Sequence, residues 1–426
     1  MVSAVRRTVF TGIGLLSPVG SDPDSLWAAL CSRKSGIRRL SFVDPSVLSC
    51  QIGGELPEFK PNNYVTNKEH RKSFKVMART VQMGLVVAHV AFRNAGLEVG
   101  AVDPDRAGVE FGAGMVASEL DDLGRASRVS LTRPDGPTSL GLWGESGLKE
   151  IPPLWMLKYL PNMPSCHASI TLDLRGPSNT HTQSDAASLM ALGEAYRIVQ
   201  RDTADVMVVG GTESKMNPLS QTRHNLFQEL SRRNAEPEKA HRPFDRDRDG
   251  SVLGEAAAAL ILEELEHAKR RGAKIIGELA GFSSGFDRAR DGVMIAALIR
   301  KALKQAGARA DDVDHVSAQA MATRKGDPWE ARAIHDVFGP KVPVWAMKGN
   351  MGTSGAAAGA VELVGSLLAL KHGRLPPTLN CDHIDPACPI HVHTDGVRPG
   401  TKPFAVKLSF TDKGQTAVAV VRRWDG

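Results

Sequence analysis

Seven residues in the middle of the chain, Asp205-Val-Met-Val-Val-Gly-Gly211, indicate the fold class. A short apolar run that ends in glycines is typical of a strand buried on both faces of a sheet. A helical pattern precedes it, with an apolar stripe made of Leu189, Leu192, Tyr196 and Val199. A second apolar strand follows at 256–262. Strands and helices that alternate in this way predict a layered α/β protein.

The same alternation extends through the rest of the chain. We predict a strand at 9–10 that enters a glycine turn, a long loop at 130–150, and two final strands that form a hairpin. The remaining predicted strands are 109–114, 313–319, 404–410 and 416–422, and the remaining predicted helices are 24–30, 74–95, 293–306, 327–337 and 356–370. The order of elements is similar in the two halves, which suggests an internal duplication.

Composition excludes several classes of protein. The 426 residues include 53 Lys and Arg against 47 Asp and Glu, a net charge of +6, with 42% apolar residues. This is globular composition, so disorder, collagen and a disulfide-stapled miniature fold are excluded. Aromatic residues are only 5% and the net charge is modest, which argues against a nucleic acid partner. An acidic protein partner fits the mild positive charge equally well.

Cysteine content and hydropathy predict a cytoplasmic protein. The five cysteines are an odd number and lie mostly far apart, as expected of reduced thiols. The first ten residues contain two arginines but no uninterrupted apolar core, so we expect no signal peptide. The longest apolar runs have about seven residues, too few for a membrane span.

Several motifs together resemble the β-ketoacyl synthases, the condensing enzymes of fatty acid and type II polyketide synthesis. They occur in that family's order over nearly the whole chain. The matching stretches are Thr11-Gly-Ile-Gly-Leu-Leu-Ser-Pro-Val-Gly20, Trp27, Ser35-Gly-Ile37, Pro161-Asn-Met163, Gly176-Pro-Ser178, Gly210-Gly-Thr-Glu213, Arg242-Pro-Phe-Asp-Arg-Asp-Arg-Asp-Gly250, Gly254-Glu255, Gly326-Asp327, Glu330, Lys348, Gly352, Ala357-Ala-Gly359 and Glu362. The resemblance implies the duplicated thiolase fold, in a layered αβαβα arrangement with halves at 1–264 and 265–426.

The resemblance also implies a catalytic cysteine and two histidines, and this chain has none of the three. The cysteine accepts the acyl chain as a thioester at a strand-to-helix turn, and the histidines polarise a malonyl thioester. The cysteine position falls on Asp185, within Gly176-Pro-Ser-Asn-Thr-His-Thr-Gln-Ser-Asp-Ala-Ala-Ser188. The histidine positions fall on Gln319 and Thr353. We therefore expect no condensation by this chain alone.

Three roles for Asp185 follow from its chemistry. Its carboxylate is expected to cap the following helix. A residual enzyme is the alternative: a malonyl decarboxylase, or an aspartate-dependent acyl hydrolase or transferase. An ionised Asp185 opposes decarboxylation, because its charge and that of the malonyl carboxylate, ~4 Å apart, repel by roughly 4 kcal/mol at an effective dielectric of about 20.

The family's glycine-rich gating loop is also altered, so Asp412 replaces the gating residue and is expected near Asp185.

Family members that have lost the cysteine are typically chain length factors, which pair with an active ketosynthase and shape its acyl pocket, and this chain resembles them. By this resemblance, Met115, Leu154 and Trp155 would limit product length in the partner's tunnel, or would be ordinary interface core. The expected partners are an active ketosynthase in a heterodimer and acyl carrier protein. A homodimeric scaffold that binds acyl chains or carrier protein is the second alternative.

Two further groups of residues match family positions. Lys348, Glu362 and Asp327 belong to the network around the active site, and without the histidines we expect buried, paired structural charges. Basic residues that the family presents to the acidic carrier protein, or that are simply solvated, are Lys68, Arg71, Lys72, Arg232 and Arg233.

Two Cys and His groups superficially suggest metal or nucleophile chemistry. Cys381, His383, Cys388, His391 and His393 lie within thirteen residues, but the family has a Pro- and Asp-rich loop here, so we predict no metal site. Cys166 and His167 are adjacent, and neighbours on an extended segment point apart. We expect no cofactor.

Overall fold

The structure is a computed structural model, and it describes residues 5–65 and 67–426. The first four residues, on which the expectation about a signal peptide partly depends, lie outside the described residues. The dominant feature is a ten-stranded sheet, accompanied by two small two-stranded sheets. Among the described residues, no helix is long and apolar enough to cross a membrane.

The strands, in chain order, are β1 (Thr8–Leu16), β2 (Ile37–Arg39), β3 (Ile52–Gly54), β4 (Ala107–Ala113), β5 (Ser178–His181), β6 (Val206–Ser214), β7 (Glu255–Glu264), β8 (Gly277–Phe286), β9 (Val313–Ser317), β10 (Val344–Trp345), β11 (Arg374–Leu375), β12 (Arg398–Pro399), β13 (Phe404–Phe410) and β14 (Gln415–Arg423).

The α-helices are α1 (Pro23–Cys31), α2 (Lys68–Lys72), α3 (Arg79–Asn94), α4 (Leu120–Val129), α5 (Leu140–Glu145), α6 (Trp155–Tyr159), α7 (Met163–Leu172), α8 (Ala187–Gln200), α9 (Pro218–Phe227), α10 (Leu265–Arg270), α11 (Val293–Gln305), α12 (Gly326–Phe338), α13 (Lys348–Met351) and α14 (Ala358–His372).

The large sheet consists of two halves with the same topology. Its N-terminal half has the order β1-β7-β6-β4-β5, and its C-terminal half has the order β8-β14-β13-β9-β10. Each order reads first, fifth, fourth, second, third along the chain, and the successive pairings are antiparallel, antiparallel, parallel and parallel in both halves. Strands β1 and β8 pair at Thr8–Phe10 and join the halves. The topology is therefore that of a duplicated unit.

The helices repeat in the same way. Helix α3 packs on β1, β7 and β6, and α11, its counterpart in the second half, packs on β8 and β14. Helices α8 and α14 contact each other, and each of them packs on strands of both halves of the sheet. Gly14 makes the packing of α3 possible, because a Cβ at this residue would lie 2.0 Å from the carbonyl oxygen of Val87.

Most predicted elements are present, with three differences. The glycine turn predicted after 9–10 is wrong, because β1 continues through Gly12 and Gly14 to Leu16 and pairs with β7 there. The helix predicted at 74–95 begins only at Arg79, because the chain from Ser73 to Val76 forms a separate 3₁₀ turn. The loop predicted at 130–150 contains α5, which starts where the Ser139 hydroxyl accepts a hydrogen bond from the Leu142 amide. The predicted final hairpin is confirmed, since β13 and β14 pair in antiparallel register.

Candidate functional site

Asp185 lies at the turn between β5 and α8. It belongs to a 3₁₀ turn, Ser184–Ala186, in which Ser184 has a left-handed backbone with φ of +46°. The side chain is buried, and Oδ1 accepts a hydrogen bond from the Thr353 hydroxyl at 2.9 Å. Oδ2 accepts a second hydrogen bond from the Ser184 hydroxyl at 3.2 Å.

The prediction that Asp185 caps the following helix is wrong. The N-cap residue of α8 is Ala186, and no side chain caps this helix. Because Asp185 lies inside the preceding turn, its carboxylate points toward Thr353 and accepts from two hydroxyl groups instead of helix amides.

Thr353 is held in place by its backbone. Its amide donates to the Val252 carbonyl at 2.8 Å, and its carbonyl accepts from the Gly254 amide at 2.8 Å. The residue before it, Gly352, has φ of +73°, and a Cβ there would lie 2.8 Å from the Val252 oxygen. A glycine is therefore required for the turn that aims the Thr353 hydroxyl at Asp185.

Gln319 follows β9 in a strained loop. The carboxylate of Glu330 accepts the amides of Gln319 and Ala320 at 2.6 and 2.8 Å, and Ala320 has φ of +51°. Burial raises the pKa of Glu330. The Gln319 side chain is fully buried, with Oε1 unpartnered and Nε2 3.4 Å from the sulfur of Met321. The backbone is thus fixed, while part of the side-chain amide has no partner.

A buried charge network lies behind these residues. Lys348 donates to the Gln319 carbonyl at 2.6 Å and pairs with Oε1 of Glu362, while Lys407 pairs with Oε2 of the same carboxylate. All three side chains are almost completely buried. Burial lowers the pKa of Lys407. Lys407 was not predicted from the sequence, although a lysine inside the apolar strand Phe404–Phe410 must find a buried partner.

Asp327 anchors the arginine-rich loop at 242–250. Its Oδ2 accepts the Phe244 amide at 2.7 Å, Oδ1 accepts the Thr323 amide at 3.3 Å, and Arg248 lies 3.8 Å away. Burial raises the pKa of Asp327 to about 7. Through these contacts Asp327 connects the loop that contains Phe244 with the loop that contains Thr323.

A second polar group lies beside Asp185 and was not predicted. Glu213 accepts the Ala356 amide at 2.6 Å. A Cβ on Gly355 would lie 2.0 Å from Oε2 of Glu213 and 3.1 Å from Cε of Lys215. Burial raises the pKa of Glu213, and the charges of Lys215 and Asp185 act on the same carboxyl. Lys215 is itself buried and lies beside Glu213.

The Asp412 side chain does not turn into the buried site that holds Asp185, although β13 and β14, which flank it, pack on the turn Ser184–Ala186. That Asp412 lies near Asp185 stays a prediction. The Asp412 side chain is 80% exposed and pairs with Lys413 at 3.1 Å. The reason is a tight turn between β13 and β14, in which the Gly414 amide donates to the Thr411 carbonyl at 3.0 Å. This short hydrogen-bonded turn leaves the Asp412 side chain in solvent.

The residues expected to form a partner pocket lie on the surface of the N-terminal half. Met115 is 76% exposed, and Leu154 is 63% exposed with φ of +63°. Trp155 is partly buried, and its ring lies 5.9 Å from that of Tyr159, with its indole nitrogen buried and unpartnered.

The predicted carrier-protein residues differ in their availability. Lys68 and Arg232 are exposed. Arg71 donates to the Val65 carbonyl at 2.6 Å, Lys72 pairs with Glu69 at 2.8 Å, and Arg233 donates to the Asp247 carbonyl at 2.7 Å.

The Cys and His residues near the C-terminus lie in the segment between β11 and β12. Cys381 and Cys388 are buried in an apolar cluster, and burial raises the pKa of each thiol to about 12. Over residues 5–65 and 67–426, no three His, Cys, Asp or Glu side chains are grouped so that they could hold a metal ion.

The structure thus joins Asp185 directly to Thr353, and Lys348 connects Gln319 to the segment that carries Thr353. This arrangement offers a carboxylate and two hydroxyls at the turn. An acyl group on a carboxylate would be an anhydride, which is far more prone to hydrolysis than a thioester. The site is therefore poorly suited to holding an acyl chain covalently.

Comparisons with known proteins agree with this architecture. Family models described as Beta-ketoacyl synthase, N-terminal domain and Beta-ketoacyl synthase, C-terminal domain match residues 6–268 and 277–382. The chain is 33% identical to 3-oxoacyl-acyl-carrier-protein synthase 2 of Coxiella burnetii (strain RSA 493 / Nine Mile phase I), covering 98% of this chain and 99% of that protein. The predicted boundary at 264/265 stays a prediction.

Solved structures share the fold. A β-ketoacyl synthase from Burkholderia phymatum STM815 is 27% identical with a TM-score of 0.87, covering 98% of this chain and 100% of that chain. The ishigamide ketosynthase/chain length factor is also 27% identical, with a TM-score of 0.86, covering 99% and 100%. The predicted thiolase-like α/β fold is confirmed. The chain belongs to the β-ketoacyl synthase family.

Proposed function

We propose that this chain is a ketosynthase-like subunit without condensing activity, which acts as a chain length factor beside an active ketosynthase. The observation that carries the proposal is the hydrogen bond from Thr353 to Asp185. By family resemblance, these two residues occupy the positions of a histidine and the nucleophilic cysteine. A carboxylate and a hydroxyl replace the thiol and the imidazole that condensation needs.

The rest of the active-site framework supports a role as a partner subunit. Glu330, Lys348 and Glu362 still hold the loops that carry Gln319 and Thr353. A subunit that must match an active ketosynthase in shape needs this framework, whereas it does not need the nucleophile. The likeness to the ishigamide ketosynthase/chain length factor supports the same role.

The partner surface in this proposal includes Met115, Leu154 and Trp155. Two of them expose most of their apolar side chains, and an apolar residue with a left-handed backbone, as at Leu154, is rare without a structural or functional reason. In the heterodimer these side chains would lie at the end of the partner's acyl tunnel and limit its length.

Acyl carrier protein is the second proposed partner. Lys68 and Arg232 are exposed, so their charges are available to an acidic protein. Arg71, Lys72 and Arg233 already make contacts within the chain and would contribute less. The Coxiella burnetii relative is named as a synthase of 3-oxoacyl-acyl-carrier-protein, and this similarity supports acyl carrier protein as a partner.

Co-expression with an active ketosynthase of the same organism tests the proposal. We expect the two chains to copurify and product formation to be lost when this chain is omitted. Product formation by the ketosynthase alone would contradict the proposal. Turnover of malonyl carrier protein by this chain alone, abolished by Asp185→Ala, would support the decarboxylase alternative instead.

A further inference from the structure

Two histidines lie where the short helix α2 meets α3. The rings of His70, on α2, and His89, on α3, have their centroids 6.1 Å apart at an interplanar angle of 56°. Nδ1 of His70 is buried, with no hydrogen-bond partner in the described part of the chain. Neither histidine belongs to the candidate functional site, so the proposed function leaves this contact unexplained.

The hydrogen bonds of His89 show which ring nitrogen takes up a proton. Its Nε2 lies 2.9 Å from the hydroxyl of Thr171 on α7, and this hydroxyl donates its one proton to the His167 carbonyl at 2.7 Å. The hydroxyl can therefore only accept a hydrogen bond from Nε2, which carries a hydrogen. Nδ1 is then the nitrogen that becomes protonated when the pH falls.

The surroundings of the two rings oppose a positive charge. Burial and then the charges of His70 and Arg93 lower the pKa of His89 to about 4. Elsewhere in the chain, His181 has a carboxylate partner, Glu110, at 3.0 Å. Over residues 5–65 and 67–426, no carboxylate oxygen lies within 4.0 Å of a ring nitrogen of His70 or His89. Protonation of this pair therefore has no counterion to support it.

The neighbouring elements do not supply a counterion either. Glu69, on α2, pairs with Lys72 in solvent. The sheet lies on the opposite face of α3, because Val87 packs on Gly14 of β1 and His89 follows two residues, or about 200°, later. The other titratable side chains on α2, on α7 and in the segment before α2 are Lys68, Arg71, Cys166, His167 and Tyr64.

Helix α2 has few other contacts that hold it in place. None of its five residues is buried, and it packs mainly on the 3₁₀ turn Ser73–Val76 that follows it. Arg71 donates to the Val65 carbonyl at 2.6 Å, and the Asn67 side chain caps the first turn. The position of α2 on α3 therefore depends on the contact between His70 and His89.

We propose that His70 and His89 form a pH-sensitive latch, which holds α2 on α3 at neutral pH and releases it in mild acid. Uncharged imidazole rings pack together, whereas two imidazolium ions repel. At a separation of about 6 Å and an effective dielectric of about 20, this repulsion changes an equilibrium constant by about a hundredfold. When α2 leaves, water reaches His89 and its ordinary affinity for a proton returns.

The direction of the effect follows from the two affinities of His89 for a proton. Its pKa is about 4 in the latched state and returns toward 6.5 in the released state. The latched state therefore has its full stability above pH 6.5 and loses it as the pH falls toward 4. Between pH 7.5 and pH 5, the equilibrium shifts toward release by up to about thirtyfold.

Release of α2 also moves Lys68, an exposed residue of this helix. Binding of acyl carrier protein through Lys68 should then weaken in acid, a consequence that rests on the proposed function. The latch itself is measured without carrier protein, so its failure is distinguishable from that of the proposed function.

Hydrogen exchange with mass spectrometry on the full chain tests the latch at pH 7.5 and pH 5, with rates corrected for the intrinsic effect of pH. We expect the protection of residues 68–76 to fall by at least about tenfold at pH 5, while β6 and β7 keep theirs. In His89→Gln, whose amide still donates to Thr171 but does not titrate, the fall should be less than about twofold. His224→Gln is the matched control, because burial lowers the pKa of His224, on α9, to about 4 as well. It should keep the full response of residues 68–76.

His70→Gln gives a second test from the other side of the contact. Because no residue of α2 is buried, this variant should fold normally. Its loss of protection should be at most about a third of that in the unsubstituted protein, since the repulsion between two imidazolium ions is gone. The proposal is overturned by no loss in the unsubstituted protein, by an equal loss in either His89→Gln or His70→Gln, or by a loss that extends to β6 and β7.

Discussion

Replacing Glu362 with Gln should destabilise the protein severely while hardly changing its shape. Glu362 pairs with both Lys348 and Lys407, and all three side chains are almost completely buried. The amide cannot neutralise either ammonium, so two buried cations lose their counterion. Removing one partner of a buried ion pair typically costs about 3–5 kcal/mol.

The expected change in melting temperature follows from the size of the chain. With an unfolding entropy of about 2.1 cal/mol/K per residue, 426 residues give about 0.9 kcal/mol/K, so the loss corresponds to about 3–6 °C. Differential scanning fluorimetry or calorimetry at pH 7 measures it. Glu69→Gln is the matched control, because its partner Lys72 is exposed, and it should shift the melting temperature by less than about 1 °C.

A second substitution separates charge from packing. In Lys407→Met the pair between Lys348 and Glu362 remains, so we expect a shift of less than about 2 °C. Adding Lys407→Met to Glu362→Gln should recover part of the lost stability, since one uncompensated cation is removed. The reasoning is refuted if Glu362→Gln is as stable as Glu69→Gln, or if Lys407→Met is the more damaging of the two.

Three further predictions concern pH, packing and product length. The pKa of Asp327 is raised from 3.8 to about 7, so its stabilising effect is full below pH 4 and is lost as the pH rises through 7. Between pH 4 and pH 8 the free energy of unfolding should therefore fall by about 4 kcal/mol more in this protein than in Asp327→Asn. Urea titrations that give the two proteins the same pH dependence would contradict this. Gly14→Ala should cost about 3 kcal/mol because its Cβ meets the Val87 carbonyl, whereas Gly124→Ala, in open space on α4, should be neutral or stabilising in the same urea titration. Trp155→Ala should lengthen the products of the reconstituted complex, measured by mass spectrometry. An unchanged product spectrum would show that Trp155 does not limit product length.

The sequence predicts the fold well because the buried strands are simple patterns. Continuous apolar runs such as Asp205–Gly211 have few alternatives to a central strand, and β6 lies between β7 and β4. The α5 helix was missed because its segment is rich in Gly and Ser, and six residues are too few for a clear helical period. Tertiary contacts rather than local propensity fix such short helices.

The candidate site was predictable in position and less so in contacts. Family motifs led to Asp185, Gln319 and Thr353, yet the bond between Asp185 and Thr353 joins residues 168 positions apart, which no local pattern reveals. The cap predicted at Asp185 and the side-chain direction of Asp412 could not be judged from the sequence for the same reason. Each side chain could turn inward or outward, and the backbone of its turn decides the direction.

Buried charges were the other omission. Lys407 and Lys215 are ordinary residues in the sequence, and only the packing shows that both are removed from water. A lysine inside a buried strand is a warning sign that the sequence does provide, but its partner, Glu362, comes from a different element.

Intact-protein mass spectrometry of the copurified pair tests the central claim most directly. The pair is exposed briefly to an acyl carrier protein thioester, and the mass of each subunit is measured. We predict an acyl adduct on the ketosynthase subunit, with this chain at its unmodified mass, because Asp185 cannot hold the acyl group as a stable thioester. A stoichiometric acyl adduct on this chain that disappears in Asp185→Asn would contradict the account.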